Sequence, residues 1–197
     1  GYIHGVVSED SDLLAYNCSL LIAKLDGMGN CEAVRLRDLN QVPSLANISY
    51  EGFVIACILS GCDYAQSLPG VGIKKALKLV AQHKTIDCIC VALAAQGFSA
   101  RELAAYETRV HMAFYCFAHH LVYDPKRRQV VPINALPQGV TMREDLVGVK
   151  YEDEVALQVC EEATHDPSTG EPYTNSMAGS VALYWSRVRG AGQRTIT

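Results

Sequence analysis

The chain has no apolar run near the roughly 20 residues that a helical bilayer span requires, which excludes a transmembrane helix within it, and no membrane partner is expected. Its first residues have neither a charged n-region nor a long apolar h-region, so no secretory leader is expected. It begins at Gly1 rather than Met, and an internal or processed piece of a longer protein is the expectation. The 8 cysteines form no Cys-x-x-Cys pair. Cys88-x-Cys90 is too tight for the usual zinc spacing. Most cysteines sit in apolar runs such as Ala56-Cys57-Ile58, so reduced, buried thiols of an intracellular protein are expected instead of disulfides. A Gly-x-Ser-x-Gly elbow, a Walker loop and internal repeats are also absent. Positive charge is not in excess either, and the net charge of −4 argues against a simple nucleic-acid coat protein.

What remains is enough to fold. A chain of 197 residues, 49% hydrophobic, fits one cored domain or a domain with a tail. Ile3 to Val7 is an apolar, β-branched run stopped by the polar cluster Ser8 to Asp12, the mark of a buried strand ending in a loop. Leu13 to Tyr16 suits a short helix, Ser19 to Leu25 a second strand, and Cys31 to Leu36 a third after the turn Gly27 to Asn30. Tyr50 to Leu59 reads as a core helix. Ile73 to His83 puts Ala76, Leu77 and Val80 opposite its lysines, an amphipathic helix. Helices are expected over Thr85 to Gln96 and Ser99 to His120, the latter opened by a Ser99/Glu102 capping box. Gln129 to Ile133 is extended, Glu152 to Glu162 a last helix, and the Pro/Gly/Ser/Thr-rich stretch from His165 a loose tail.

Charge is distributed unevenly. Between Gly72 and Lys84 lie Lys74, Lys75, Lys78 and Lys84 and no acid. Lys126-Arg127-Arg128 is a second basic group, and Arg187, Arg189 and Arg194 a third. Acids gather at Glu9-Asp10-Ser11-Asp12 and Glu152-Asp153-Glu154. This suits an anionic metal pocket with basic contact patches, and equally ordinary surface charge.

Two segments carry candidate chemistry. Asp10 and Asp12, two apart where a predicted parallel strand ends, occupy the position where open α/β sheets place ligand sites. Two carboxylates about 4 Å apart repel by about 4 kcal/mol at an effective dielectric near 20. A divalent cation would offset that, and all-oxygen ligands favour Mg²⁺ or Mn²⁺. A solvated acidic loop capping the next helix is the alternative. Asp63 follows an apolar helix, where an acid opposes the helix dipole. A metal would account for it; so would turn chemistry. In Gly70-Val71-Gly72 the glycines open a helix whose first turn bears Lys74 and Lys75. Helix N-termini expose unpaired N–H groups and partial positive charge, which suits a phosphodiester; a tight interhelix turn explains the glycines too. His119 and His120 are adjacent, about 100° apart on a helix, and read as structural or surface histidines.

Taken together, Val7-Ser-Glu-Asp-Ser-Asp-Leu-Leu-Ala15, Ile58-Leu-Ser-Gly-Cys-Asp-Tyr64 and Leu68-Pro-Gly-Val-Gly-Ile-Lys-Lys-Ala76 resemble the flap endonuclease/XPG superfamily of structure-specific nucleases. His120 to Asn134 and Tyr151 to Val159 resemble its eukaryotic 5′→3′ mismatch-repair exonuclease branch. The likeness runs over residues 1 to 165. It implies an α/β fold: part of a PIN-like, flap-endonuclease parallel sheet, followed by a helical region with a helix–turn–helix that binds duplex DNA. The expected divisions are residues 1–48 for the C-terminal part of the nuclease core, 49–165 for the helical region with its helix–turn–helix at about 58–84, and 166–197 for the loose tail.

The resemblance further implies that Asp10, Asp12 and Asp63 are catalytic ligands of two Mg²⁺ ions, with Mn²⁺ as a substitute. It implies that Gly70, Val71, Gly72, Lys74, Lys75 and Lys78 contact the duplex backbone. Ser60, Ser67 and the Val71 carbonyl would neighbour a K⁺ ion. Expected substrates are duplex DNA with 5′ ends, gaps or flaps, in the nucleus, during DNA repair. Such enzymes draw further acidic ligands and a helical arch from a region upstream of these blocks, so the chain alone is expected to be inactive. A non-catalytic duplex-binding module is the alternative, and a structural α/β domain with an incidental acidic loop a third.

Overall fold

The computed structural model describes residues 4–162, 164–166 and 169–172. The tail expected from residue 166, like Arg187, Arg189 and Arg194, falls almost wholly outside the described residues. The chain divides into two compact units, one ending at Ala118 and the other beginning at His119.

The first unit opens with a three-stranded sheet in the order β1 (Val6–Val7), β2 (Leu20–Ala23), β3 (Glu32–Arg35). β1 and β2 are parallel, with Val6 opposite Leu21 and Val7 opposite Ile22. β3 returns antiparallel to β2, so the sheet is mixed rather than wholly parallel. That difference follows from the short turn after β2: Asp26 Oδ1 accepts from the N–H groups of Met28 and Asn30. A tight turn can join only antiparallel neighbours. A 3-10 turn, Ser11–Leu14, lies between β1 and β2, and a second, Leu36–Gln41, follows β3.

Four helices follow: α1 (Tyr50–Ser60), α2 (Ile73–His83), α3 (Ile86–Ala94) and α4 (Ala100–His119). Ser49 caps α1 by accepting from Gly52 N–H, and Thr85 caps α3 by accepting from Cys88 N–H. Ser99 Oγ accepts from Glu102 N–H while Glu102 accepts from Ser99 N–H, the reciprocal capping box at α4. α1 has no polar stripe because it is the centre of the core: Val54, Ile55, Ala56, Ile58 and Leu59 are all buried. α2 is amphipathic, burying Ala76, Leu79 and Val80; Leu77 is only half-buried. A Cβ built on Gly52 would meet Val80 Cγ1 at 2.9 Å, so glycine is what lets these two helices approach. From α4, Leu103, Tyr106, Val110, Ala113 and Phe117 join the same core.

In the second unit β4 (Leu121–Asp124) and β5 (Gln129–Pro132) form a hairpin. Asp124 Oδ1 accepts from the N–H groups of Lys126 and Arg127 and sets the turn. The expected helix from Glu152 is α5 (Asp153–Leu157), which runs on into a π-helical turn, Gln158–Glu162. Glu161 receives Tyr123 Oη at 2.8 Å and Arg128 Nη2 at 3.4 Å.

All the cysteines are free thiols. Cys90 and Cys116 are buried, but Cys31, Cys88 and Cys160 are exposed, which corrects the expectation of a generally buried set. The apolar neighbours of Cys88 point inward and leave it on the outer face of α3. Among the described residues no helix is long and apolar enough to cross a membrane.

Candidate functional site

The acidic loop is built by the end of β1. Ser8 N–H donates to Ile22 O, extending the parallel pairing to the loop's first residue. Ser8 Oγ then accepts from Asp10 N–H at 3.0 Å, and Asp10 Oδ1 accepts from Asp12 N–H at 2.9 Å. Asp10 is thus the N-cap of the 3-10 turn, as the capping alternative foresaw, and this bond occupies one of its oxygens. Glu9 turns away and accepts from Lys24 N–H at 2.7 Å. Asp12 is half-buried and Asp10 exposed.

Asp63 arrives from the far side of α1. The helix ends at Gly61, and Cys62 and Ala65 then exchange backbone hydrogen bonds of 3.0 and 3.2 Å. Asp63 and Tyr64 are the two central residues of that turn, both exposed. Three carboxylates from two distant stretches therefore share one electrostatic neighbourhood. Burial pushes the Asp12 carboxyl above its ordinary value, and the charges of Asp10 and then Asp63 raise it further. The Cys57 thiol on α1 is pushed up to about 11 by burial, with Asp12 adding to the rise.

Aromatic side chains brace this neighbourhood. The Tyr16 and Tyr64 hydroxyls are hydrogen-bonded to each other. Tyr16 and Tyr64 lie on the Phe117 ring at centroid distances of 4.7 and 5.3 Å. Burial first, then the bond to Tyr64, keeps the Tyr16 phenol protonated far above its ordinary value. Tyr50 Oη donates to Ala15 O at 2.7 Å, fixing the end of the same 3-10 turn to α1.

The donor set is compatible with hard divalent cations: carboxylate oxygens only, with repulsion raising Asp12. The set is open. Among the described residues, the group whose ligand atoms all lie within 4.8 Å of one another is a different one: Asp87, Glu107 and His111. Asp10, Asp12 and Asp63 do not form such a group, so the structure does not bring all three carboxylates within that reach of one another. The Asp87 group went unnoticed in the sequence; its only signal is the i, i+4 spacing of Glu107 and His111 on α4.

The glycine turn lies past Ser67. Gly70 has φ +72 and open space around it, and Gly72 begins α2 with extended backbone, no side-chain cap and equally open surroundings. Val71 between them is buried, its N–H donating to Leu68 O at 2.9 Å. Lys74 and Lys78 are exposed, whereas Lys75 is half-buried with its ammonium 5.9 Å from the Phe98 ring centroid. Ser60 Oγ donates to Cys57 O at 2.8 Å, and Ser67 comes against Gly61, whose added Cβ would lie 3.7 Å from Ser67 Oγ. In the second unit, Arg127 and Arg128 of the other basic group pair with Asp124 and Glu161. His119 Nδ1 lies 3.1 Å from Asn134 O, a structural contact. A separate cleft of about 830 Å³, lined by Arg35, Arg37, Tyr50 and Phe53 among others, contains none of the aspartates or lysines above.

A family profile described as XPG I-region matches residues 1–63. Exonuclease 1 of Danio rerio is 37% identical over 159 residues, covering 78% of this chain and 20% of that protein. Exodeoxyribonuclease 1 of Saccharomyces cerevisiae is 32% identical over 141 residues, covering 68% of this chain and 20% of its own length. A probable flap endonuclease 1 homolog of Danio rerio is 37% identical over 87 residues, 44% of this chain and 25% of that protein. The chain spans about a fifth to a quarter of the length of these relatives.

Proposed function

The chain belongs to the flap endonuclease/XPG superfamily, on its exonuclease 1-like side, and from that premise we propose that it serves a structure-specific 5′→3′ DNA exonuclease with 5′-flap endonuclease activity. The setting is DNA repair in the nucleus, and the substrate is duplex DNA with 5′ ends, gaps or flaps. One observation carries the reading: the Tyr16 and Tyr64 hydroxyl bond joins the Asp10–Asp12 loop to the Asp63 turn across about fifty residues, where burial and then the charges of Asp10 and Asp63 raise the Asp12 carboxyl.

Asp10, Asp12 and Asp63 hold Mg²⁺, or Mn²⁺ in its place. Two such ions, when bound, activate water and stabilise charge on the attacked phosphodiester. The family likeness supports a pair of ions over a single one. It also supports a need for further carboxylates, so this chain by itself is expected to cleave poorly. The amides and glycines of Gly70-Val71-Gly72, with Lys74 and Lys78, hold the duplex backbone without reading sequence. Lys75 contributes while lying over Phe98. Ser60, Ser67 and the Val71 carbonyl hold a K⁺ ion that steadies the turn.

The test is cleavage of 5′-flap and recessed duplex substrates by the full-length nuclease with and without Asp63→Ala. Loss of cleavage with duplex binding retained is expected; undiminished cleavage would overturn the metal role. A duplex-binding module without chemistry is the second reading, favoured by the engagement of Asp10 as a helix cap. Duplex binding with no Mg²⁺-dependent cleavage in the full-length protein would establish it.

A further inference from the structure

We infer that the Tyr16–Tyr64 hydroxyl pair positions Asp12 and Asp63 relative to each other and so sets the affinity of the aspartate cluster for divalent cations. The inference rests on the metal-binding reading above.

Each tyrosine is tied to one of the carboxylates by a short, stiff path. Tyr64 is the residue after Asp63, and both lie within the turn closed by the Cys62 and Ala65 backbone bonds. On the other side, Asp12 O accepts from Ala15 N–H at 2.9 Å and Tyr16 N–H at 3.2 Å, so Tyr16 closes the turn that Asp12 opens. The hydroxyl contact joins these two turns across 48 residues of sequence. Phe117, 2% exposed on α4, is the common floor. Its centroid is 4.7 Å from the Tyr16 ring and 5.3 Å from that of Tyr64, the latter at 84° edge-on. Edge-to-face stacking fixes ring direction as well as distance.

The bracing has an opponent. Three like charges drive the two turns apart, and the described charges acting on Asp12 are both negative. Each turn is also held to α1, the Asp12 turn by Tyr50 Oη on Ala15 O and the Asp63 turn by following directly on its C-terminus, and the hydroxyl bond ties their tips to each other. Without the hydroxyl bond the two tips lose their direct tie, though Phe117 and Tyr50 still hold the turns, and the carboxylates then spend less time at the spacing a cation needs. Tyr16 and Tyr64 are positioning residues here; neither needs to touch an ion.

Tyrosine-to-phenylalanine substitution isolates the bond, because it keeps both rings on Phe117. Mn²⁺ binding to the 197-residue chain is measured by electron paramagnetic resonance, alongside the melting temperature without metal, for Tyr16→Phe, Tyr64→Phe, the double variant and Asp12→Asn. Expected are a loss of Mn²⁺ affinity of about two- to tenfold in each tyrosine variant, the usual worth of one hydrogen bond, and no further loss in the double variant. A merely structural contact would lower the melting temperature and leave Mn²⁺ affinity alone. Unchanged affinity in the tyrosine variants, with Asp12→Asn weakened, overturns the positioning role and leaves the metal site standing. Wild-type-like Mn²⁺ binding by Asp12→Asn overturns the metal site, and the positioning role with it. If Tyr16→Phe fails to fold, the exposed Tyr64→Phe decides alone.

Discussion

Asp12→Asn should make the protein more stable without metal and less responsive to it. In the fold the Asp12 carboxylate is disfavoured first by burial and then by the charges of Asp10 and Asp63. Asp12 is half-buried, so solvent still screens these charges in part, and a neutral side chain recovers about 0.5–1 kcal/mol, the scale of a partly exposed charge interaction. For a chain of this size that is about 1–4 °C in melting temperature. The sign with pH follows from the direction of the shift. A raised pKa means that the folded state binds the proton more tightly, so wild-type stability falls as pH rises from the ordinary value of 3.8 through the folded value. The full penalty is present at neutral pH. The advantage of asparagine is therefore largest at pH 7, shrinks as pH falls through the folded pKa, and is gone below the unfolded one. Metal reverses the order. Mg²⁺ or Mn²⁺ at ten times its Kd adds about 1.4 kcal/mol to a protein that binds it only when folded, and Asp12→Asn should forfeit most of that. Differential scanning fluorimetry at pH 7 and pH 4, with chelator and with Mn²⁺, reads all four corners. A lower melting temperature for the variant in chelator, or an undiminished Mn²⁺ increment, would refute the reasoning.

Gly70→Ala should cost about 1 kcal/mol and weaken duplex binding; since nothing lies within 4 Å of the added Cβ, the cost is that of φ +72 alone, checked by thermal melting and fluorescence anisotropy. Removing Lys74 and Lys78 should weaken binding to duplexes of any sequence and flatten the dependence of log affinity on log salt by about 0.9 per lost phosphate contact. An unchanged slope would mean that these lysines face solvent and not the duplex. Leu59→Ala, at a fully buried position of α1, should cost about 2–5 kcal/mol in chemical denaturation, with every element of the first unit affected together.

The helices were legible in the sequence because each announces itself locally. α2 carries its own amphipathic period, and α4 its Ser99/Glu102 box. α1 was legible for the opposite reason: its lack of a polar face signals burial on all sides. Strands fared less well. β1 was expected over Ile3 to Val7; Ile3 lies outside the described residues, and of the rest Val6–Val7 form the strand while His4 and Gly5 do not, since strand length depends on neighbours that the local pattern does not name. β4 was hidden because Leu121 to Asp124 is too short for alternation to register beside a long helix. The antiparallel return of β3 is a consequence of Asp26 anchoring the turn, a side-chain-to-backbone contact with no periodic signature. At the candidate site, the i, i+2 aspartates and the glycine turn could be found by spacing. Their neighbourhood with Asp63 could not, because α1 stands between them in the sequence. The tyrosine pair left no trace at all: two hydroxyls 48 residues apart become a motif only once Phe117 supplies their floor.

Compactness alone does not mark a metal site, and the Asp87, Glu107 and His111 group makes the point testable. Its ligand atoms are the closest-set of their kind among the described residues. Yet Asp87 Oδ1 already lies 3.1 Å from His111 Nε2, so the group contains a donor that satisfies a carboxylate without an ion. Its Asp87 and His111 are exposed, where water satisfies the rest at little cost. The aspartate cluster has the reverse character: it is more open, and the described charges that act on Asp12 are both negative. A cation therefore gains more at the aspartates, where it relieves repulsion, than at the trio, where it must break the Asp87–His111 contact. Asp87→Asn and His111→Ala should accordingly leave the Mn²⁺ affinity of the chain within about twofold of wild type, a change under 0.5 kcal/mol. Asp12→Asn and Asp63→Asn should each lower it at least about tenfold, since even partners outside the ligand set are worth about that much to a metal site. The opposite ranking in the same titration would move the metal to α3 and α4, and the nuclease reading would then lose its only structural support at the aspartates.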